Sequence, residues 1–156
     1  MASQAAADRG LGKPSIMVRK FLLAAAQDDF HPKFYFFYGS LMDPDHFANV
    51  LNLRERPVTH PASIAGYSYK MWGPYPALID GPPDAIVQGV AIEVKSHWVA
   101  TRLAEYETDA YEEHDCIIRF ENGQTVSGVT FKWRDDADDP ELREGSFNLR
   151  EWQSEQ

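Results

Sequence analysis

Six carboxylates fall within twelve residues, AEYETDAYEEHD from Ala104 to Asp115: Glu105, Glu107, Asp109, Glu112, Glu113 and Asp115. A bare charge run of this kind is by default a solvated face. Helical phase separates its members. If Val99, Leu103 and Tyr106 mark an inward face at about 100° per residue, Glu105 points to solvent, whereas Glu107 follows Leu103 by one turn and lies at the edge of the apolar stripe. A carboxyl drawn into an apolar rim holds its proton to higher pH, because desolvation disfavours the charged form. That property suits a general acid/base working near neutrality.

A second stretch, KFYFFYGSLMDPDHF from Lys33 to Phe47, poses a different chemistry. Its continuous apolar residues end on Tyr38-Gly39-Ser40-Leu41, and Asp43-Pro44 then offers a helix cap followed by a proline at the first helical position. Strand, small-residue turn and helix start together present backbone N–H donors to an anionic group. Ser40 lacks the G-x-S-x-G setting of a nucleophile, so it reads as part of the turn. His31, His46, His60, His97 and His114 are scattered without ligand spacing, which gives no support for a metal. No phosphate-binding or dinucleotide glycine motif is present. Cys116, the one cysteine, reads as a half-buried strand residue and makes no internal disulfide.

The elements that must carry these residues follow from periodicity and turn residues. Lys33 to Phe37 is a strand buried on both faces, and Asp43 to Leu51 a helix. Val58 to Trp72 is strand-like with a break near Pro61 and Gly66, and MWGPYPALIDGPP is expected as a turn-rich loop carrying Trp72 and Tyr75. Val87 to Val94 alternates as a half-buried strand. Ser96 caps a helix over HWVATRLAEYE. Tyr111 to Phe120 and Gln124 to Trp133 pair through Asn122-Gly123. Arg134 to Gly145 reads as a solvated acidic loop, and the segment after it as a tail docking through Phe147, Leu149 and Trp152. The whole predicts an α+β domain whose sheet closes partly into a barrel with two or three helices outside.

At 156 residues the chain suits one domain. Residues 1–30 read as an N-terminal tail, Met1 to Pro14, and a short amphipathic helix, Ser15 to Gln27, with a transit segment as the alternative; residues 31–156 form the domain. A formal charge of -9, with 24 acids against 15 bases, argues against a nucleic-acid partner. The longest apolar run, Phe21 to Ala26, is far below the ~20 residues of a membrane span. The expectation is a cytoplasmic protein with a small-molecule substrate and no membrane partner.

Tyr38-Gly39-Ser40-Leu41 resembles the Y-G-[ST]-L signature of the γ-glutamylcyclotransferase-like superfamily, which includes the AIG2-like proteins. YPALID (Tyr75 to Asp80), VQGVAIEV (Val87 to Val94) and LAEYETDAY (Leu103 to Tyr111) are similar to its later blocks, in order. The resemblance spans roughly Phe34 to Trp133. It implies a barrel with a cavity in which Glu107 is the acid/base, Tyr38, Gly39, Ser40 and Leu41 form an anion-holding turn, and Tyr75 and Tyr111 contact substrate. It also implies internal aminolysis of a γ-glutamyl amide or amine to 5-oxoproline, with no cofactor or metal. Two positions depart from the family pattern: Glu113 stands where a basic residue is common, and Phe131 where a cavity tyrosine is common. Lys70, Trp72 and Tyr75 suit a pocket for a bulkier ligand. Other acid/base chemistry in the same cavity, or binding without turnover, are the alternatives.

Overall fold

The computed structural model describes residues 30–156; the expected helix Ser15 to Gln27 lies outside the described residues. In chain order the elements are β1 (Lys33–Phe37), a 3-10 turn (Ser40–Met42), α1 (Pro44–Leu51), β2 (His60–Ala65), β3 (Tyr67–Trp72), β4 (Tyr75–Asp80), β5 (Ile86–Val94), α2 (His97–Glu107), β6 (Tyr111–Phe120), β7 (Thr125–Trp133) and α3 (Leu149–Ser154). Five strands close into a barrel in the order β1-β5-β2-β6-β7, and β3 and β4 make a separate hairpin. Closure is by a parallel seam, Tyr35 opposite Val129 and Phe36 opposite Thr130, whereas the other barrel pairs are antiparallel. The fold is the small mixed barrel with flanking helices that the sequence predicts.

Alternation along β1 sorts the core into two clusters. Phe36 and Tyr38 join Ile64, Ala91 and Ile118, with Val126 beside them, so that all five barrel strands contribute and the cluster fills the barrel. Tyr35 and Phe37 face the other way, toward Phe47 and Leu51 of α1 and Ala100, Leu103 and Ala104 of α2. Both faces of β1 are therefore apolar because both are covered. Cys116 belongs to the interior cluster, and burial pushes its thiol up to about 12, leaving it without thiolate reactivity at neutral pH.

Three expectations are corrected. Tyr75 to Asp80 is a strand, β4, and not a loop: it pairs with β3 from Trp72↔Tyr75 to Tyr67↔Asp80, and Ala77, Leu78 and Ile79 are buried. The break falls at Gly66 alone (φ 87°), whereas Pro61 sits within β2 opposite Val90. Pro61 is tolerated because β2 pairs with β6 only at Ala62 and Ser63, so that ladder does not need its N–H. The acidic run 134–145 is strapped to β3: Met71 and Arg143 exchange backbone hydrogen bonds of 2.7 and 2.8 Å, Lys70 Nζ donates to Ala137 O at 2.8 Å, and Leu142 is buried.

Gly89 lies where β5 passes β1 inside the barrel. A Cβ there would be driven into Phe37 O and to 2.7 Å from Phe36 Cζ. Since Phe37 O is backbone and cannot rotate aside, Gly89→Ala is expected to lower unfolding free energy by about 1–3 kcal/mol, the usual range for overpacking. Chemical denaturation measures it, and an unchanged midpoint would contradict the close strand approach described above.

Candidate active site

Glu107 ends α2, whose start is capped by Ser96 Oγ accepting from Val99 N at 3.3 Å. Phase along the helix buries Ala100, Leu103, Ala104, Tyr106 and Glu107, while Glu105 stays exposed. The carboxyl is deeper than the edge position that phase alone indicates: Glu107 is 0% exposed, and neither oxygen has a hydrogen-bond partner among the described residues. Burial pushes its pKa up to about 8. The cause is desolvation without compensating donors.

The chain turns out of α2 through Thr108, at φ 64° and ψ -172°. A β-branched residue at positive φ is strained by of order 1–3 kcal/mol and persists only where its surroundings over-determine it. Here Thr108 N donates to Ala104 O at 3.2 Å and its hydroxyl accepts from Ala110 N at 3.2 Å, with the residue itself buried. The strain sits directly beside the unpartnered carboxyl.

Glu107, Tyr38, Tyr75 and Tyr111 come from four separate segments. Tyr38, immediately after β1, is buried; its hydroxyl donates to Phe131 O at 2.6 Å and accepts from Leu78 N at 3.1 Å. Tyr111, at the start of β6, donates to Pro76 O at 3.1 Å. Burial holds both phenols well above their usual value, and the charge of Glu107 pushes each further. Tyr111 also feels Tyr38, Tyr75 and Tyr106. Glu107, Tyr38, Tyr75 and Tyr111 are thereby gathered in one neighbourhood. Tyr38 leads into Gly39, Ser40 and Leu41, of which Ser40 and Leu41 are fully buried in the 3-10 turn. The carbonyls of this turn are used, Gly39 O by Met42 N and Ser40 O by Asp43 N.

Glu113 does not join this group. Its carboxylate accepts from Lys33 Nζ at 3.3 Å and Tyr35 OH at 3.2 Å, so its charge is answered by its own neighbours. Phe131 is buried on the outer face beside Tyr35, at 5.9 Å between ring centroids, and gives its carbonyl to Tyr38. Lys70 is engaged by the strap. Trp72 packs on Tyr111 and Trp133 at 6.0 and 5.1 Å and donates to Glu141 Oε2 at 3.3 Å. His46 meets Tyr106 OH at 3.2 Å and Trp152 at 4.6 Å, which docks α3 on α1. No group of three or more metal-ligating side chains occurs among the described residues. Sequence reasoning missed Trp133, a strand-end aromatic with nothing in its periodicity to set it apart; it is buried and its Nε1 has no partner among the described residues.

A closed five-strand mixed barrel flanked, among the described residues, by three helices, with one carboxyl buried at a helix end, defines the class. Residues 35–154 match the family described as gamma-glutamyl cyclotransferase, AIG2-like, and the chain belongs to that family. Among solved structures it is similar to two Arabidopsis thaliana proteins determined in solution. One is 27% identical with a TM-score of 0.63, covering 83% of this chain and 85% of that one; the other is 24% identical with a TM-score of 0.62, covering 81% and 75%. A solved gamma-glutamyl cyclotransferase shares the fold at 13% identity, TM-score 0.55, over 67% of this chain and 68% of that one. No curated protein matches. No helix among the described residues is long and apolar enough to cross a membrane.

The buried carboxyl has a consequence for stability. An acid whose folded pKa is raised keeps a proton that the unfolded chain releases, so folding weakens as pH rises from the ordinary Glu value of about 4.3 to the folded value of about 8. Below that window the penalty is absent; above it the penalty is complete. Glu107→Gln removes the titration, so the variant should gain on the native protein by up to ~1.4 kcal/mol per pH unit between pH 5 and 8. Parallel denaturation curves for the two proteins across that range would show that Glu107 is not held neutral.

Proposed function

We propose that the protein is a γ-glutamylcyclotransferase-type enzyme that releases 5-oxoproline from a γ-glutamyl amide or amine. The observation that carries the reading is the fully buried Glu107, without a hydrogen-bond partner among the described residues, beside the residue that opens the Y-G-S-L turn, in a chain of this family. In this reading the substrate's α-carboxylate rests on the N–H groups of Gly39, Ser40 and Leu41. Its α-ammonium faces Glu107, and Tyr38, Tyr75 and Tyr111 enclose the glutamyl chain.

The chemistry needs one group that first takes and then gives a proton. Glu107 accepts a proton from the α-ammonium; the freed amine attacks the γ-carbonyl, closing the five-membered ring as the new N–C bond forms. The C–N bond to the leaving amine then breaks as Glu107 returns the proton to that nitrogen, and the second proton shed by the ring nitrogen follows by the same carboxylate, so that 5-oxoproline keeps one N–H and the amine departs protonated. Nucleophile and electrophile share one molecule, so the protein's main contribution is holding the folded conformer, and well-oriented intramolecular attack lowers a barrier by as much as ~7–11 kcal/mol. A carboxyl pushed up to about 8 is matched to both halves of the relay at neutral pH.

The test is 5-oxoproline release from γ-glutamyl amino acids, γ-glutamylamines and glutathione. The native protein should process at least one, with kcat/KM rising with pH toward about 8, where free Glu107 ionises. Glu107→Gln should lose at least the 10²–10⁴-fold typical of general acid–base catalysis. Processing of none of these substrates would reject the reading, and other acid/base chemistry or ligand binding without turnover would take its place.

A further inference from the structure

The proposed reaction places four polar groups of the substrate: the α-carboxylate, the α-amine, the leaving nitrogen and the γ-carbonyl oxygen. The turn answers the first and Glu107 the next two. The fourth becomes an oxyanion when the ring closes, and it requires a donor.

Buried side-chain donors without a partner among the described residues are few. His97 leaves both ring nitrogens unpartnered, yet it begins the eleven-residue helix that Glu107 ends, ~15 Å away along the axis. Trp133 Nε1 is the other. Trp133 is 4% exposed and stands opposite Tyr111 in the β6–β7 ladder, so their side chains share a face; the rings meet at 5.7 Å. Tyr111 in turn donates to Pro76 O of β4, two residues from Leu78, whose N–H donates to the Tyr38 hydroxyl. Trp72 backs the pair, and its own Nε1 is taken by Glu141. A buried N–H with no acceptor costs about 1–3 kcal/mol, and an indole usually finds a partner when buried.

We infer that Trp133 is a catalytic residue of the site proposed above, its indole N–H donating to the γ-carbonyl oxygen and to the oxyanion that forms there. The inference rests on the cyclotransferase reading. The step moves no proton through Trp133: electrons pass from the C=O π bond to oxygen as the amine adds, the indole hydrogen bond shortens onto that charge, and the bond relaxes when the amine leaves. Such a donor acts mainly in the transition state, so it shows in kcat more than in KM.

The test is Trp133→Phe in the full chain, which keeps an aromatic ring against Trp72 and Tyr111 and removes the donor together with part of the ring volume. With whichever γ-glutamyl substrate the native protein processes, kcat should fall about 10²–10³-fold, KM should stay within a few-fold, and the pH profile should keep its limb near 8. Native activity with a Trp133→Phe kcat within two-fold of it overturns the inference and leaves the cyclotransferase reading standing. A native protein that releases no 5-oxoproline removes both. Should the variant fail to fold, the indole N–H resonance of native Trp133, assigned through its contacts with Tyr111, is followed on adding 5-oxoproline, which carries the same carbonyl. A downfield shift supports the contact, and an unmoved signal at saturation overturns it.

Discussion

The structure depends on keeping a carboxyl that has no partner among the described residues inside an apolar core. A lone acid in that setting would ordinarily recruit a donor, admit water or swing outward. Glu107 is denied the last route by its own helix, since the residues that fix the inward face of α2, Ala100, Leu103 and Ala104, are fully buried. Thr108 blocks the other way out by reversing the chain at once through a backbone conformation that few side chains tolerate. Stability given up at one residue is recovered across the helix face, a distribution expected where function rather than folding selects the group.

Tyr38 transmits this arrangement to the rest of the fold. It belongs to the barrel interior, yet its hydroxyl joins Phe131 O of β7 to Leu78 N of β4. One phenol therefore fastens the β3–β4 hairpin, which shares no ladder with the barrel, to the barrel's closing strand. Tyr111 does the same from the other side through Pro76 O. The turn from Gly39 to Leu41 starts from a residue braced in this way, so its backbone donors have a fixed origin. Both hydroxyls are committed to backbone, which gives these tyrosines a part in shaping the site that their rings and positions carry.

Much of this was legible in sequence where a local rule and the tertiary environment agree. Asp43 and Pro44 announce α1, and Asp43 Oδ1 does accept from Asp45 N and His46 N. Helical phase picked Glu107 out of six acids, because the period that buries Leu103 buries it too. Depth was not legible: phase gives a direction, and how far the surroundings close over that direction is set by tertiary packing. β4 itself was hidden by Pro74, Pro76, Pro82 and Pro83, which punctuate it like a loop, although Pro76 pairs with Met71 in a two-stranded ladder. The 134–145 strap was hidden for the opposite reason. Its side chains are acidic, but Met71 and Arg143 are joined backbone to backbone, and no composition reports that. Trp133 went unnoticed because an unsatisfied N–H is a property of surroundings, not of spacing.

On the proposed reading, the same electrostatics explain why the site is incomplete without its ligand. A neutral Glu107 in an apolar surround has no charge with which to attract, but an incoming α-ammonium supplies a partner that the described residues do not. Its positive charge favours the carboxylate, pulling the pKa of Glu107 down as the complex forms. Binding and ionisation are then linked: the ligand creates the base it needs, and the proton it gives up stays within reach for the leaving nitrogen. A permanent cation beside Glu107 would stabilise the fold and lower the pKa in advance, leaving a weaker base and a site already satisfied. The cost of the buried acid and the capacity for proton transfer are two aspects of one environment, and relieving the first by adding a donor removes the second.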